Sequence, residues 1–574
     1  MIDPTGTGTA TALVVGVTGH RELRNEDRDS LQAQVRSFFL DLRTRYPELP
    51  LVLLSPLAEG ADSLVADVAL ELGLRLIAPL PLPAEMYRDD FSGAESVAHF
   101  ERQLAGAEVL LLPLLGDDAD ADASASSPGP ARDRQYAEAG MFVSRHCHIL
   151  LALWDGRDQD SLGGTAHVVE FHLQGEMAGQ FGQRRASLSL LGLNEDTLVR
   201  HIPTARNDAA EVAIADGPWL TAQDGIVSHD VIPDAFDRMF LHQAAFNADL
   251  EKYAAMIASE SARNDAPDAS ALQPCPIERQ FFAADWLART YQHRVSRVLR
   301  ITYAIAAATG AAFILYAHVH SQSTMIYLYL LLFAAGVGLA MLARRRDWHR
   351  KYLDYRALAE GLRVQSYWRR AGVVDLEHAS TANENFMQEQ DVELGWIRNV
   401  LRVASLEGLL APVQPGRNAV DAVIEDWIGT AQSDGQLRYF TITGARRADH
   451  HRHAERLALA GLSLGIAISV LLALFSRYWG HGITSMLVVA MGLLSVAAGV
   501  HEAYAHKKAD KELVKQYRFM QRIFGGARRR LDAAKGMAEK REILRVLGEA
   551  ALAEHAEWTL MHRERPLEHT RLGG

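Results

Sequence analysis

Four apolar runs dominate the second half of the chain. Ile301–Val319 and Met325–Ala343 are separated only by the polar piece His320–Thr324, and Leu457–Phe475 and Ile483–Val500 only by Ser476–Gly482; none of the four holds an Asp, Glu, Lys or Arg. At about 1.5 Å of rise per residue, each is just long enough to cross a bilayer core of about 30 Å. Arg294, Arg297 and Arg300 precede the first pair and Arg344, Arg345 and Arg346 follow it. Arg446, Arg447, Arg452 and Arg456 precede the second, and Lys507, Lys508 and Lys511 follow. The bias of Lys and Arg towards the cytoplasmic side predicts two hairpins with all their ends, and both chain termini, in the cytoplasm. A buried helical hairpin of a soluble protein is the alternative, but the triple-arginine stop fits a membrane edge better.

The first 260 residues are patterned differently. Leu13–Val17, Leu51–Leu54, Arg75–Leu80, Val109–Leu112 and Ile149–Leu153 are short apolar runs, and amphipathic stretches at Arg28–Tyr46, Ser63–Leu72, Ser96–Ala105 and Arg134–Ser144 alternate with them. Such alternation predicts an α/β Rossmann-like domain, its parallel sheet covered on both faces. Leu198–Ile202, stopped by Pro203, predicts an additional edge strand. Ala235–Ser259 reads as a long helix. The Asp/Ala/Ser tract Asp117–Pro130 has almost nothing to bury and predicts a disordered insertion. The expected organisation is an α/β domain at 1–260 (core 12–173), a linker at 261–277, a two-pass unit at 278–372, a cytoplasmic helical segment at 373–449 and a second two-pass unit at 450–574. Phe281–Arg300 is expected to run as a helix straight into the first span, and Trp396 and Trp427 to be core aromatics.

Charge and chemistry narrow the picture. A formal charge of −12 argues against a nucleic-acid partner, which calls for a basic stripe. The two cysteines, Cys147 and Cys275, have no metal-ligand spacing, so neither a disulfide framework nor a cysteine zinc site is expected, in keeping with a reducing cytosol. No cofactor or metal is expected; His450, His451 and His453 read as an interfacial cationic flank. The N-terminus has no signal-peptide pattern. The spans lack deep ionisable groups, which disfavours a pump. Small residues at Ala306, Gly310, Gly336, Gly461, Gly465, Gly492 and Gly499 permit close packing, as in a homo-oligomeric pore or a plain anchor. In the α/β domain, ligands are expected beyond the carboxyl ends of the strands. The glycine-bearing turns at Gly19, Gly60 and Gly163-Gly164-Thr165 fall there, where backbone N–H groups can approach a phosphate.

Ser55-Pro56-Leu57-Ala58-Glu59-Gly60-Ala61-Asp62 resembles the Ser-Gly-x-Ala-x-Gly-x-Asp signature of the DNA-processing protein DprA. Together with Thr18-Gly19-His20-Arg21, and with Trp154-Asp155-Gly156 before Gly163-Gly164-Thr165, it makes residues 12–173 similar to the SLOG superfamily, which includes the LOG enzymes. The resemblance implies a Rossmann-like fold that binds nucleotides or ADP-ribose-like ligands, with some members hydrolysing nucleoside monophosphates. Two departures stand out. Pro56 replaces a Gly and removes an N–H donor. The LOG pattern Gly-Gly-x-Gly-Thr-x-x-Glu puts a catalytic carboxylate three residues after the Thr, where this chain has Val168; Glu170 lies two residues, or about 200° of helix, further on. Tyr352-Leu353-Asp354-Tyr355-Arg356-Ala357-Leu358-Ala359-Glu360 with Trp368 resembles the helical extension of SLATT domains. These are two-pass modules that accompany SLOG domains or nucleotide-synthesising enzymes in bacterial conflict systems. Tyr517-Arg518-Phe519-Met520 echoes Tyr355-Arg356-Ala357-Leu358, suggesting an internal duplication.

Residues and resemblance together lead to the expectation of a multi-pass inner (plasma) membrane effector in antiviral defence. Its cytoplasmic domain would bind a nucleotide-derived signal, and its spans would perturb the lipid bilayer. The expected ligand contacts are Gly19, His20, Arg21, Ser55, Glu59, Gly60, Asp62, Asp155, Gly163, Gly164 and Thr165. Arg21 would pair with phosphate, and Asp62 or Asp155 with a ribose hydroxyl. No catalytic residue is expected on this reading. The alternatives are a membrane-tethered LOG-like hydrolase using Glu59 or Glu170, and a non-catalytic scaffold.

Overall fold

The computed structural model of the chain describes residues 10–115, 129–157, 163–175, 197–206, 217–222, 225–264, 275–318, 324–373, 386–387, 392–410, 418–508 and 510–563. Most of the expected insertion, the interior of the expected linker and most of the loop between the first two apolar runs lie outside these residues. The chain groups into two units: residues 1–284 with 357–415, and residues 285–356 with 416–574.

In the first unit an eight-stranded sheet runs in the order β4-β3-β2-β1-β5-β6-β7-β8. The strands are β1 (Leu13–Gly19), β2 (Leu51–Leu54), β3 (Arg75–Leu80), β4 (Glu108–Leu111), β5 (Ile149–Trp154), β6 (Leu198–Pro203), β7 (Trp219–Ala222) and β8 (Ile226–His229). Strands β1 to β6 pair in parallel, whereas β7 and β8 pair antiparallel. Between the parallel strands lie α1 (Arg28–Arg45), α2 (Ala61–Glu71), α3 (Ala94–Ala105), α4 (Pro130–His146) and α5 (Thr165–Gln174), and α6 (Asp234–Asn264) follows the sheet. The wholly apolar strands have the physical cause expected of them: Val14, Val52, Leu54, Ile77, Leu150 and Val199 on one face pack with Phe142, Val143, Val168 and Val169 of α4 and α5.

Three expectations change. Strand β6 is not an edge, because the β7–β8 hairpin covers it. Pro203 is tolerated because β7 pairs only with Leu198–Arg200, so its missing N–H falls beyond that ladder. Pro130 belongs to a helix: it opens α4 at a first-turn position, where no N–H is needed. The helix α6 runs on through Ser261 to Asn264, past the start of the expected linker.

The stretch 373–449 is shared between the units. Helix α10 (Gly395–Leu410) belongs to the first. Its Trp396 is fully buried with its ring 5.7 Å from that of Phe246, and the Asn399 carbonyl lies 3.1 Å from His148 Nε2. Val403 and Leu406 join the core, and Glu407 pairs with Arg75 of β3. Trp427, equally buried, belongs to the second unit, where its ring meets Phe524 at 6.2 Å.

The second unit is helical. Helices α7 (Pro276–His318), whose residues 276–284 belong to the first unit, and α8 (Thr324–Arg345) are followed by α9 (Trp348–Ala371), whose residues 357–371 also belong to the first, and α11 (Gln436–Phe475) and α12 (His481–Lys508) by α13 (Asp510–Ala533). A long helix, a second apolar helix and a 24-residue helix thus occur twice in that order. Helix α14 (Met537–Arg563) closes the chain. Among the described residues, four helices are long and apolar enough to cross a membrane, and their apolar windows are 11%, 0%, 0% and 0% buried. Unburied apolar surface on this scale does not suit a helix hidden in a soluble core, and it suggests a membrane protein. Where the spans touch, small residues allow it: a Cβ on Gly310 would lie 2.7 Å from Val496, and one on Gly492 3.2 Å from Ile314. Gly461, Gly465 and Gly499 face open space. Outside the spans, fully buried Asp354 of α9 meets Arg350 at 3.2 Å and Arg563 of α14 at 3.3 Å.

Candidate functional site

Strand order reverses at β1. From it the chain proceeds outward through β2, β3 and β4, and β5 returns to its other side, so the following loops part and leave a crevice beyond the strand ends. A cavity of about 550 Å³ lies there, lined by Thr18, Gly19, His20 and Arg21 after β1, and by Pro56, Ala58 and Asp62 around the N-terminus of α2. Tyr87, and Asp133, Tyr136 and Gly140 of α4, add to the wall, as do Gly163, Gly164, Thr165 and Val168 around the N-terminus of α5 and Arg206 after β6.

The glycines make the close approaches that the cavity needs. A Cβ on Gly19 would sit 2.4 Å from Ala61 Cβ and 2.8 Å from the Leu153 carbonyl. Gly60 has φ +92°, and a Cβ there would meet the Arg21 carbonyl at 2.2 Å. These two positions hold the loops after β1 and β2 against each other, and the Ala61 N–H donates to the His20 carbonyl at 3.0 Å. Gly164 precedes the first residue of α5 and supplies no side-chain cap, so the first-turn N–H groups of that helix are open to an anion.

Strands β1, β5 and β6, adjacent in the sheet, deliver His20, Asp155 and Arg206 to one place. The Asp155 N–H donates to His20 Nε2 at 3.1 Å, and the two side chains approach to 3.4 Å. Arg206 Nε lies 3.5 Å from Asp155 Oδ2 and 3.5 Å from His20 Nε2. Burial, reinforced by the charge of Arg206, lowers the pKa of His20 and keeps the ring neutral. Asp155 also accepts from the Arg157 N–H at 3.2 Å; it orders the rim and does not itself line the cavity.

Asp62, 6% exposed, is a buried carboxyl of the cavity wall, and burial pushes its pKa up to about 7 against the opposing pull of Arg21 and of the Ala58 N–H. The Arg21 guanidinium lies 5.1 Å from the centre of the Tyr136 ring. Behind it, Arg132 donates to the Tyr136 hydroxyl at 2.8 Å and meets Asp90 at 2.9 Å, and the Tyr136 hydroxyl donates to Asp90. Tyr87 meets Phe91 and Phe100 edge to face, and Tyr87 and Tyr136 give the cavity one aromatic side.

Of the expected contacts, Gly19, His20, Arg21, Asp62, Gly163, Gly164 and Thr165 line the cavity together. Gly60 shapes it from behind. Ser55 is fully buried, accepting from the Leu57 N–H at 3.2 Å, and Glu59 accepts from Ser92 at 2.5 Å and Ser96 at 2.6 Å; neither lines the cavity. Those hydroxyls and the charge of Arg21 outweigh desolvation and keep the Glu59 pKa low. Tyr87, Tyr136 and Arg206 were not foreseen. Arg206 carries the one readable signal, a cation just past a parallel strand's carboxyl end. The departure at position 168 has a direct spatial meaning: Val168 is buried in the cavity wall, and Glu170 is exposed on the far side of α5.

The chain matches no family model, no curated protein and no solved structure. Fold and site define a class: a Rossmann-like, mostly parallel α/β domain with a polar cavity at its switch point, in a chain with four candidate membrane helices.

Proposed function

We propose that this protein is a membrane-embedded effector. Its SLOG-like domain senses a nucleotide or ADP-ribose-type signal and drives membrane perturbation or pore formation by its SLATT-like helices in bacterial defence. The observation that carries the reading is the cavity itself: an uncapped helix N-terminus and two arginines for phosphate, an aromatic side for a base, and an apolar Val168 where a hydrolase of this type would hold its carboxylate. On this reading the four helices form two hairpins with cytoplasmic ends in the inner membrane, and the repeated order of elements reflects a duplicated two-pass unit. A signal acts only if it binds the active arrangement better than the resting one.

The test uses the full chain in lipid nanodiscs. It is titrated calorimetrically with cyclic dinucleotides, ADP-ribose, cyclic ADP-ribose forms and nucleoside monophosphates, and each mixture is chromatographed afterwards. A bound ligand recovered intact, with binding abolished in a folded Arg21→Ala/Gly164→Asp double variant, supports a sensor. Absence of binding across the panel, or unchanged affinity in the double variant, overturns it. Asp62 favours a second reading, a hydrolase, because a carboxyl poised near neutrality in a cavity wall can act as a general acid. Release of free base, lost in Asp62→Asn, would establish that instead.

A further inference from the structure

On the cytoplasmic approach to the third apolar helix lies a second cavity, of about 630 Å³, lined by Arg446, Asp449, His450 and His453. The four residues are spaced i, i+3, i+4 and i+7 on α11 and therefore form one stripe. All four are exposed. The single acid does not cancel the stripe, because Asp449 is paired with Arg452. The Asp449 carbonyl takes the Nδ1–H of His453 at 2.7 Å, so Nε2 is the ring atom a ligand would meet.

Depth identifies the occupant. His453 precedes Leu457, the first residue of the apolar run, by about 6 Å of helix, and His450 precedes it by about 10 Å. The headgroup layer on each side of a bilayer core is about 5–8 Å thick, so the His453 ring stands at its level, with His450 just outside it and Arg446 farther out. Directly below on the same stripe, the helix surface turns apolar and stays uncovered: Leu457 and Leu464 are 68% and 52% exposed. A cationic cavity continuous with a bare apolar wall complements an amphiphile with an anionic head, whereas free phosphate would use only the upper half. We infer that this cavity holds the phosphate headgroup of an anionic membrane lipid. The inference rests on reading α11 as a membrane span.

The experiment takes the full chain in uncharged detergent. Dihexanoyl phosphatidylglycerol, dihexanoyl phosphatidylcholine and inorganic phosphate are titrated in separate arms, with wild type, Arg446→Gln and His450→Gln compared. The expected result is at least about tenfold tighter binding of the anionic lipid than of the zwitterionic one, falling about fivefold when the Arg446 charge is removed. Equal affinity for the two lipids, or unchanged binding in both folded variants, overturns the site. Inorganic phosphate binding as tightly as phosphatidylglycerol also overturns it, since the cavity would then serve a soluble anion. Alkaline extraction of membranes separates the two readings: release of the chain refutes the span, whereas retention without lipid preference refutes only the lipid site.

Discussion

The two units place their polar chemistry in opposite ways. In the first, charged and polar side chains converge on the end of a buried parallel sheet, with His20, Asp155 and Arg206 brought within about hydrogen-bonding range. In the second, the apolar windows are bare outside and carry no charged side chain, and the polar contacts cluster in the flanking helices, as in the Arg350–Asp354–Arg563 bridge. The difference follows from solvent. A water-facing crevice rewards converging dipoles, whereas hydrocarbon penalises every unsatisfied one. Polar and apolar chemistry are therefore carried on separate kinds of surface.

The largest expected effect tests what completes the first unit. Trp396→Ala should destabilise it by about 3–5 kcal/mol through loss of buried aromatic volume, and a fragment ending at residue 260 should fail to melt cooperatively. Cooperative melting of that fragment, followed by circular dichroism, would show that α10 is dispensable. Glycines sharpen the contrast. Gly19→Ala forces a Cβ into Ala61 and should cost about 1–3 kcal/mol, while Gly461→Ala, facing open space, should stay within about 0.5 kcal/mol. Denaturation of both in one detergent tests whether the cost follows the close neighbour and not the glycine itself. Arg206→Gln should weaken binding of an anionic ligand about tenfold with little change in melting temperature, as read by calorimetry; a wild-type affinity would remove Arg206 from the site.

The smallest effect is a pH slope. Asp62 keeps its proton to about pH 7 when folded, against an unfolded value of 3.8, so the folded state binds the extra proton in between. Its favourable contribution is present at the acid end of that window and fades as pH rises through about 7. Asp62→Asn should flatten that slope and raise the melting temperature at pH 8 by a few degrees. An unchanged slope would mean that the carboxyl is solvated.

The parallel strands and the apolar helices were legible because each is written locally, as a run of uniform character. So were the glycines at the strand ends, since a turn that must pass close to another backbone leaves its mark in the residue that makes it. What escaped was long-range. Nothing in Gly395–Leu410 says that its Trp396 packs on Phe246, and Glu59 looks like a ligand contact until Ser92 and Ser96 are seen to hold it. The hairpin β7–β8 was missed although Asp224-Gly225, between Trp219–Ala222 and Ile226–His229, is a hairpin signal. The aromatic side of the cavity was hidden because Tyr87 and Tyr136 come from segments that only the fold brings together.

Val168 has a consequence for time. The side chain presses on Gly140, where a Cβ would lie 2.6 Å from its methyl, so a longer acid there would have to displace the helix packing. On the proposed reading the protein then has no clock of its own: a captured signal is not consumed, and the response lasts as long as the ligand's residence in the cavity.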